Sequence, residues 1–148
     1  MRTRRPSARA VGVFALLLVA LALSAGAGTA SAATSASLRI YAGCESFDGN
    51  TTRHYDYTLV VQGTTSYQGD VREEFRLWGD DPYYDDLLAG PYVQHGSGGA
   101  IYFAFCVNTG TLNEDWGQDE IYVGVRVYNP VTGQQLDKAE TNRIVNYF

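Results

Sequence analysis

The sequence predicts an all-β protein, an antiparallel sandwich of seven to eight strands closed by one disulfide. Three observations carry that expectation. Apolar residues recur at every second position through most of the chain after residue 37, which is the period of a half-buried strand. That part is rich in Tyr, Val, Thr and Gly, the residues of strands and the turns that join them. Its only two cysteines, Cys44 and Cys106, both lie downstream of an export signal, where thiols are oxidised.

The strands follow in order. Leu38, Ile40 and Ala42 alternate with Arg39 and Tyr41, a first strand ending near Cys44. Tyr55, Tyr57, Leu59 and Val61 form a second, and Val71, Glu73, Phe75 and Leu77 a third. Residues 92–94 are a short fourth. Residues 100–107 are apolar nearly throughout, as expected of a central strand. Ile121, Val123, Val125 and Val127 alternate with Tyr122, Gly124, Arg126 and Tyr128, the clearest strand in the chain. Residues 129–133, Asn-Pro-Val-Thr-Gly, are a hairpin turn with Gly133 at a position suited to positive φ. Residues 134–137 return from it, and 141–148 form a last strand with Ile144 and Tyr147 available for packing. Short strands at this spacing suit an immunoglobulin-like or a C2-like sandwich.

The first 32 residues stand outside this pattern. Arg2, Arg4, Arg5 and Arg9 precede an apolar run over 11–23, and Ala30-Ser31-Ala32 supplies an A-x-A cleavage site. The run is too short for a membrane span, which needs about 20 apolar residues. The expectation is a cleaved signal over 1–32 and a secreted domain over 33–148, with no stable membrane anchor after cleavage. Four of the eleven basic residues go with the signal, so 33–148 holds seven against all sixteen acidic ones, a net charge of −9. Such a surface repels nucleic acid and attracts cations. Cys44 and Cys106 allow one intramolecular disulfide.

The acids are not evenly spread. Successive connections of an antiparallel sandwich fall at alternate ends, so 44–51, 79–91 and 109–118 share one end. With Asp119 at the border, they hold Glu45, Asp48, Asp80, Asp81, Asp85, Asp86, Glu114, Asp115 and Asp119, and neither Lys nor Arg. The opposite end holds only Asp70. Carboxylates gathered this way either form a solvated rim or hold a hard cation such as Ca²⁺, which takes 6–8 oxygens.

One segment favours the cation. Residues 77–90 read Leu-Trp-Gly-Asp-Asp-Pro-Tyr-Tyr-Asp-Asp-Leu-Leu-Ala-Gly. Trp78, Asp81, Asp85, Asp86 and Gly90 fall at positions that resemble a calcium loop of C2 domains, with Gly79 where that family usually has its first aspartate. The resemblance covers this loop alone. It implies Ca²⁺ held by Asp80, Asp81, Asp85 and Asp86, completed from another loop by Asp48 or Asp115.

Other chemistries fit poorly. Cys44, His54, His95 and Cys106 lack the close pairs of a structural zinc site. Ser97 follows His95-Gly96 where a nucleophile elbow needs glycine two residues before the serine, in a strand–turn–helix context. A domain of this size has little room for a deep substrate cleft. The expectation is a secreted, non-enzymatic binding module with Ca²⁺ on its acidic loops. The alternatives are a carbohydrate-binding module using exposed aromatics, Tyr84 and Trp116 foremost, or a domain that binds or inhibits another protein.

Overall fold

The computed structural model describes residues 33–113 and 117–148. The expected signal over 1–32, and with it Glu114, Asp115 and Trp116, lies outside the described residues. The chain forms β1 (Ser35–Phe47), β2 (Thr52–Thr64), β3 (Val71–Gly79), β4 (Asp86–Gly96), β5 (Ala100–Val107), a one-turn helix α1 (Thr109–Leu112), β6 (Asp119–Tyr128), β7 (Gln135–Glu140) and β8 (Ile144–Asn146). Two antiparallel sheets result, β1-β2-β5 and β4-β3-β6-β7, with β8 also on β6. The first, second and fifth strands pair together, while the third pairs with the sixth and the sixth with the seventh. That is the immunoglobulin order, with the fourth strand beside the third.

Period-2 patterning explains the core. Phe75 and Leu77 from β3, and Ile121, Val123 and Val125 from β6, are completely buried against Leu59 and Val61 of β2 and Ile101, Phe105 and Val107 of β5. Phe75 stacks on Phe103 with ring centres 4.5 Å apart, joining the two sheets. Burying these side chains removes apolar surface at about 25 cal/mol per Å². The intervening residues of β3 and β6 therefore face outward.

The disulfide joins Cys44 to Cys106, with Cα atoms 5.6 Å apart. It ties β1 to β5 across β2 within one sheet, whereas antibody domains bridge their two sheets. On the far side the sheets are closed by polar contacts. The Asn142 side chain accepts from the Leu38 N–H and donates to the Leu38 carbonyl, extending the edge of β1. The Thr34 hydroxyl donates to Asp137, which holds that carboxyl below its ordinary range.

Besides shifted bounds at β1, β7 and β8, two elements differ from the sequence expectation. The fourth strand begins at Asp86, not near 92, so only 80–85 connects β3 to β4. The alternation is broken there because the β3–β4 register shifts on either side of Leu77. Gly90, at φ +104°, absorbs that shift: a Cβ there would meet the Phe75 carbonyl at 2.7 Å. The second difference is at the end of the chain. Tyr147 is exposed, and Phe148 packs edge-on against Tyr57 in its place.

Candidate functional site

The strand registers put the 48–51 turn, the 80–85 connection and the segment around α1 at one end of the sandwich, as the alternation of loops implies. Asp48 Oδ1 accepts from the Asn50 and Thr51 N–H groups at 3.1 and 3.0 Å, and these bonds lower its pKa. Arg53 approaches the other oxygen at 3.5 Å. Asp80 pairs with Arg143, reached from the 141–143 connection, so this end of the molecule does carry a cation. Asp85 accepts a hydrogen bond from the Tyr122 hydroxyl at 2.7 Å. Asp119 is buried at the start of β6 instead of standing on the rim. Asp81 is half-buried, and Asp86 opens β4 opposite Gly79. Among the described residues, no three of His, Cys, Asp or Glu converge in a group that could hold a metal ion. Tyr84, expected to meet a ligand, projects from 80–85 almost fully exposed, beside an equally exposed Tyr83.

A different surface holds a hollow lined by both aromatic and charged side chains. It lies on the outer face of the five-stranded sheet, with a volume of about 440 Å³, inside the range of small-molecule sites. Its floor is Gly124. The registers place Arg76 and Glu140 directly opposite Gly124 on the two neighbouring strands. One row along β6, Arg126 stands between Glu74 and Lys138. One row the other way, Tyr122 faces Trp78. A glycine ringed by long side chains leaves a depression where they stand up around it. Glycine inside a strand weakens the strand, and it often marks a close approach by a ligand or another backbone.

The walls are chemically divided. On one side, Trp78 is half-buried with its indole Nε1 against Gly124, and Tyr122 and Asp85 stand beside it. Arg143 lies over the Tyr122 ring at 4.7 Å, a cation–π contact. Burial and the Asp85 hydrogen bond both raise the Tyr122 pKa, so this hydroxyl stays a donor. On the other side are Arg76, Arg126 and Lys138. Beneath them the buried Glu74 carboxylate takes a 2.9 Å bond from Arg76 Nε and lies 3.9 Å from Arg126. Five of the seven basic residues of 33–148 stand on or beside this face: Arg72, Arg76, Arg126, Lys138 and Arg143. The other two, Arg39 and Arg53, belong to the three-stranded sheet.

A second hollow of about 570 Å³ lies beside the disulfide, and Glu45 is the one charged group lining it. Compared with known proteins, the chain matches no family model, no curated protein sequence and no solved structure.

The outer face does not stand out in the sequence as a site, because its residues are spread over three strands. The signal was present: Arg72, Glu74, Arg76 and Trp78 alternate with the core residues of β3, and Gly124 sits among the outward positions of β6. What the chain alone did not give is the register that brings those positions together.

Proposed function

We propose that this chain is an exported, non-enzymatic binding module, and that its ligand is a saccharide seated over Gly124 on the outer face of the five-stranded sheet. The observation that carries the reading is the depression itself, a glycine floor walled by one tryptophan and by charged hydrogen-bonding groups. A sugar ring offers an apolar face to an aromatic ring and hydroxyls to carboxylates and guanidinium groups, and this hollow supplies both kinds of wall. Binding of a saccharide panel to wild type, Trp78→Ala and Tyr84→Ala tests it. The reading expects Trp78→Ala to abolish binding and Tyr84→Ala to leave it intact. Loss of binding through Tyr84 alone would move the site to the 80–85 tip, and no binding across the panel would favour a protein partner.

Ca²⁺ on the acidic loops is a second reading, favoured by the shared end of the 48–51 turn, the 80–85 connection and the α1 segment. It takes Asp80, Asp81, Asp85 and Asp86 as ligands, with Asp48 or Asp115 completing the set. On this reading Asp80 turns from Arg143 and Asp85 from Tyr122 when the ion enters.

A further inference from the structure

Seven outward side chains surround the Gly124 floor in a fixed order: Glu74, Arg76 and Trp78 from β3, Tyr122 and Arg126 from β6, and Lys138 and Glu140 from β7. Directly opposite residues in an antiparallel pair have Cβ atoms about 5 Å apart, and diagonal ones about 7–8 Å apart. Arg76 stands opposite Gly124, and Arg126 and Lys138 stand opposite each other one row away. Arg126 is thus diagonal to Arg76 and opposite Lys138, and the three basic residues run in sequence along one border of the depression. Glu74 lies beneath two of them and neutralises one charge, which leaves a net of two positive charges there. The Glu74 bond takes a single donor from Arg76, and a guanidinium has five. The opposite side has Trp78, the Tyr122–Asp85 pair and Glu140. In a chain whose 33–148 segment carries a net −9, cations collected at one hollow have no bulk electrostatic explanation.

We infer that the saccharide carries an anionic group, received by Arg76, Arg126 and Lys138 while its ring lies against Trp78; this rests on the saccharide reading above. Guanidinium groups match carboxylate and sulfate geometry with paired N–H donors, and Lys138 adds a point charge at the open edge. Asp85 and Glu140 then stand where ring hydroxyls donate. Repulsion from the same two carboxylates orients the anion toward the basic side.

The experiment is a calorimetric titration of the purified protein with three probes: oligogalacturonate, the same oligomer with its carboxylates methyl-esterified, and a sulfated galactan. The acid is expected to bind about tenfold more tightly than its ester, the worth of one charge-assisted hydrogen bond. That preference is expected to shrink as salt is raised. Lys138→Gln, on an exposed position of the edge strand β7, is expected to lower affinity for the acid several-fold and to leave the ester unchanged. Preference for the sulfated galactan over the uronate supports the inference and assigns the anion as sulfate. Equal affinity for acid and ester, or binding confined to neutral glycans, overturns the anionic inference and leaves the saccharide reading standing. No binding by any saccharide overturns both.

Discussion

Gly124→Ala separates a glycine kept for the fold from one kept for a ligand. Its backbone is not in the left-handed region, so an L-residue fits the chain there without strain. Glycine in a strand interior costs about 0.5–1 kcal/mol relative to alanine, because more of its freedom is lost on folding. Against this gain stands one contact: the new Cβ falls 3.1 Å from Trp78 Nε1 and 3.9 Å from the Arg76 carbonyl. The indole must retreat by a few tenths of an ångström, and it borders the open hollow, so it has room. The expected net is a stabilisation of about 0.5 kcal/mol, or roughly 2–3 °C in melting temperature for a domain of this size. Thermal melts and urea titrations measure the stability, and a saccharide titration measures the lost affinity. A variant that is at least as stable as wild type and binds poorly fits a ligand role. A loss of more than about 1 kcal/mol would show Trp78 to be immovable and Gly124 to be a packing requirement, which refutes the reasoning.

Other perturbations give separate tests. Cys44→Ala with Cys106→Ala opens a loop of 62 residues and is expected to lower stability by roughly 4 kcal/mol in urea titrations; a loss below about 1 kcal/mol would contradict the entropic account. Glu73 is fully buried, accepts from Gln94 at 2.7 Å, and has its pKa raised by burial. Because the folded value lies above the unfolded one, near 4.5, its contribution is greatest below that pH and falls as pH rises through the folded value. Glu73→Gln should therefore raise the urea midpoint more at neutral pH than near pH 4.5, and an equal change at both would refute the assignment. Asp48 and Asp137, with lowered values, act in the opposite sense and at lower pH. On the calcium reading, Ca²⁺ at about 100 times its dissociation constant stabilises by roughly 2.7 kcal/mol, on the order of ten degrees. Asp85→Asn with Asp86→Asn should remove that response. A calcium shift no larger than that of Mg²⁺ or of matched NaCl would make the acidic loops a solvated rim.

How far the sequence could be read follows from where its period held. The run from Ile121 to Val127 is legible because every second side chain enters the core without interruption, and the isoleucine and all three valines there are fully buried. Residues 86–91 were not, because the Gly90–Pro91 step falls where the β3–β4 register shifts and the alternation fails. Cys44 and Cys106 had only each other, so their pairing was fixed by count. The gathering of loops at one end followed from topology, but the contacts within it did not. Arg143 reaches Asp80 from a connection that merely interrupts an edge strand between β7 and β8. The outer face was hidden for a similar reason. Arg76, Gly124 and Glu140 lie in one row, yet they are 48 and 16 residues apart along the chain, and only the register makes them neighbours.

The most direct test of the account is a two-dimensional amide NMR titration of the protein with the tightest-binding saccharide of the panel. The account expects the largest shifts at the Gly124 backbone amide and the Trp78 indole N–H, with smaller ones at Arg126 and Lys138 and none at Tyr83 or Tyr84. Shifts confined to the 80–85 connection, or to the outer face of the three-stranded sheet, would contradict it.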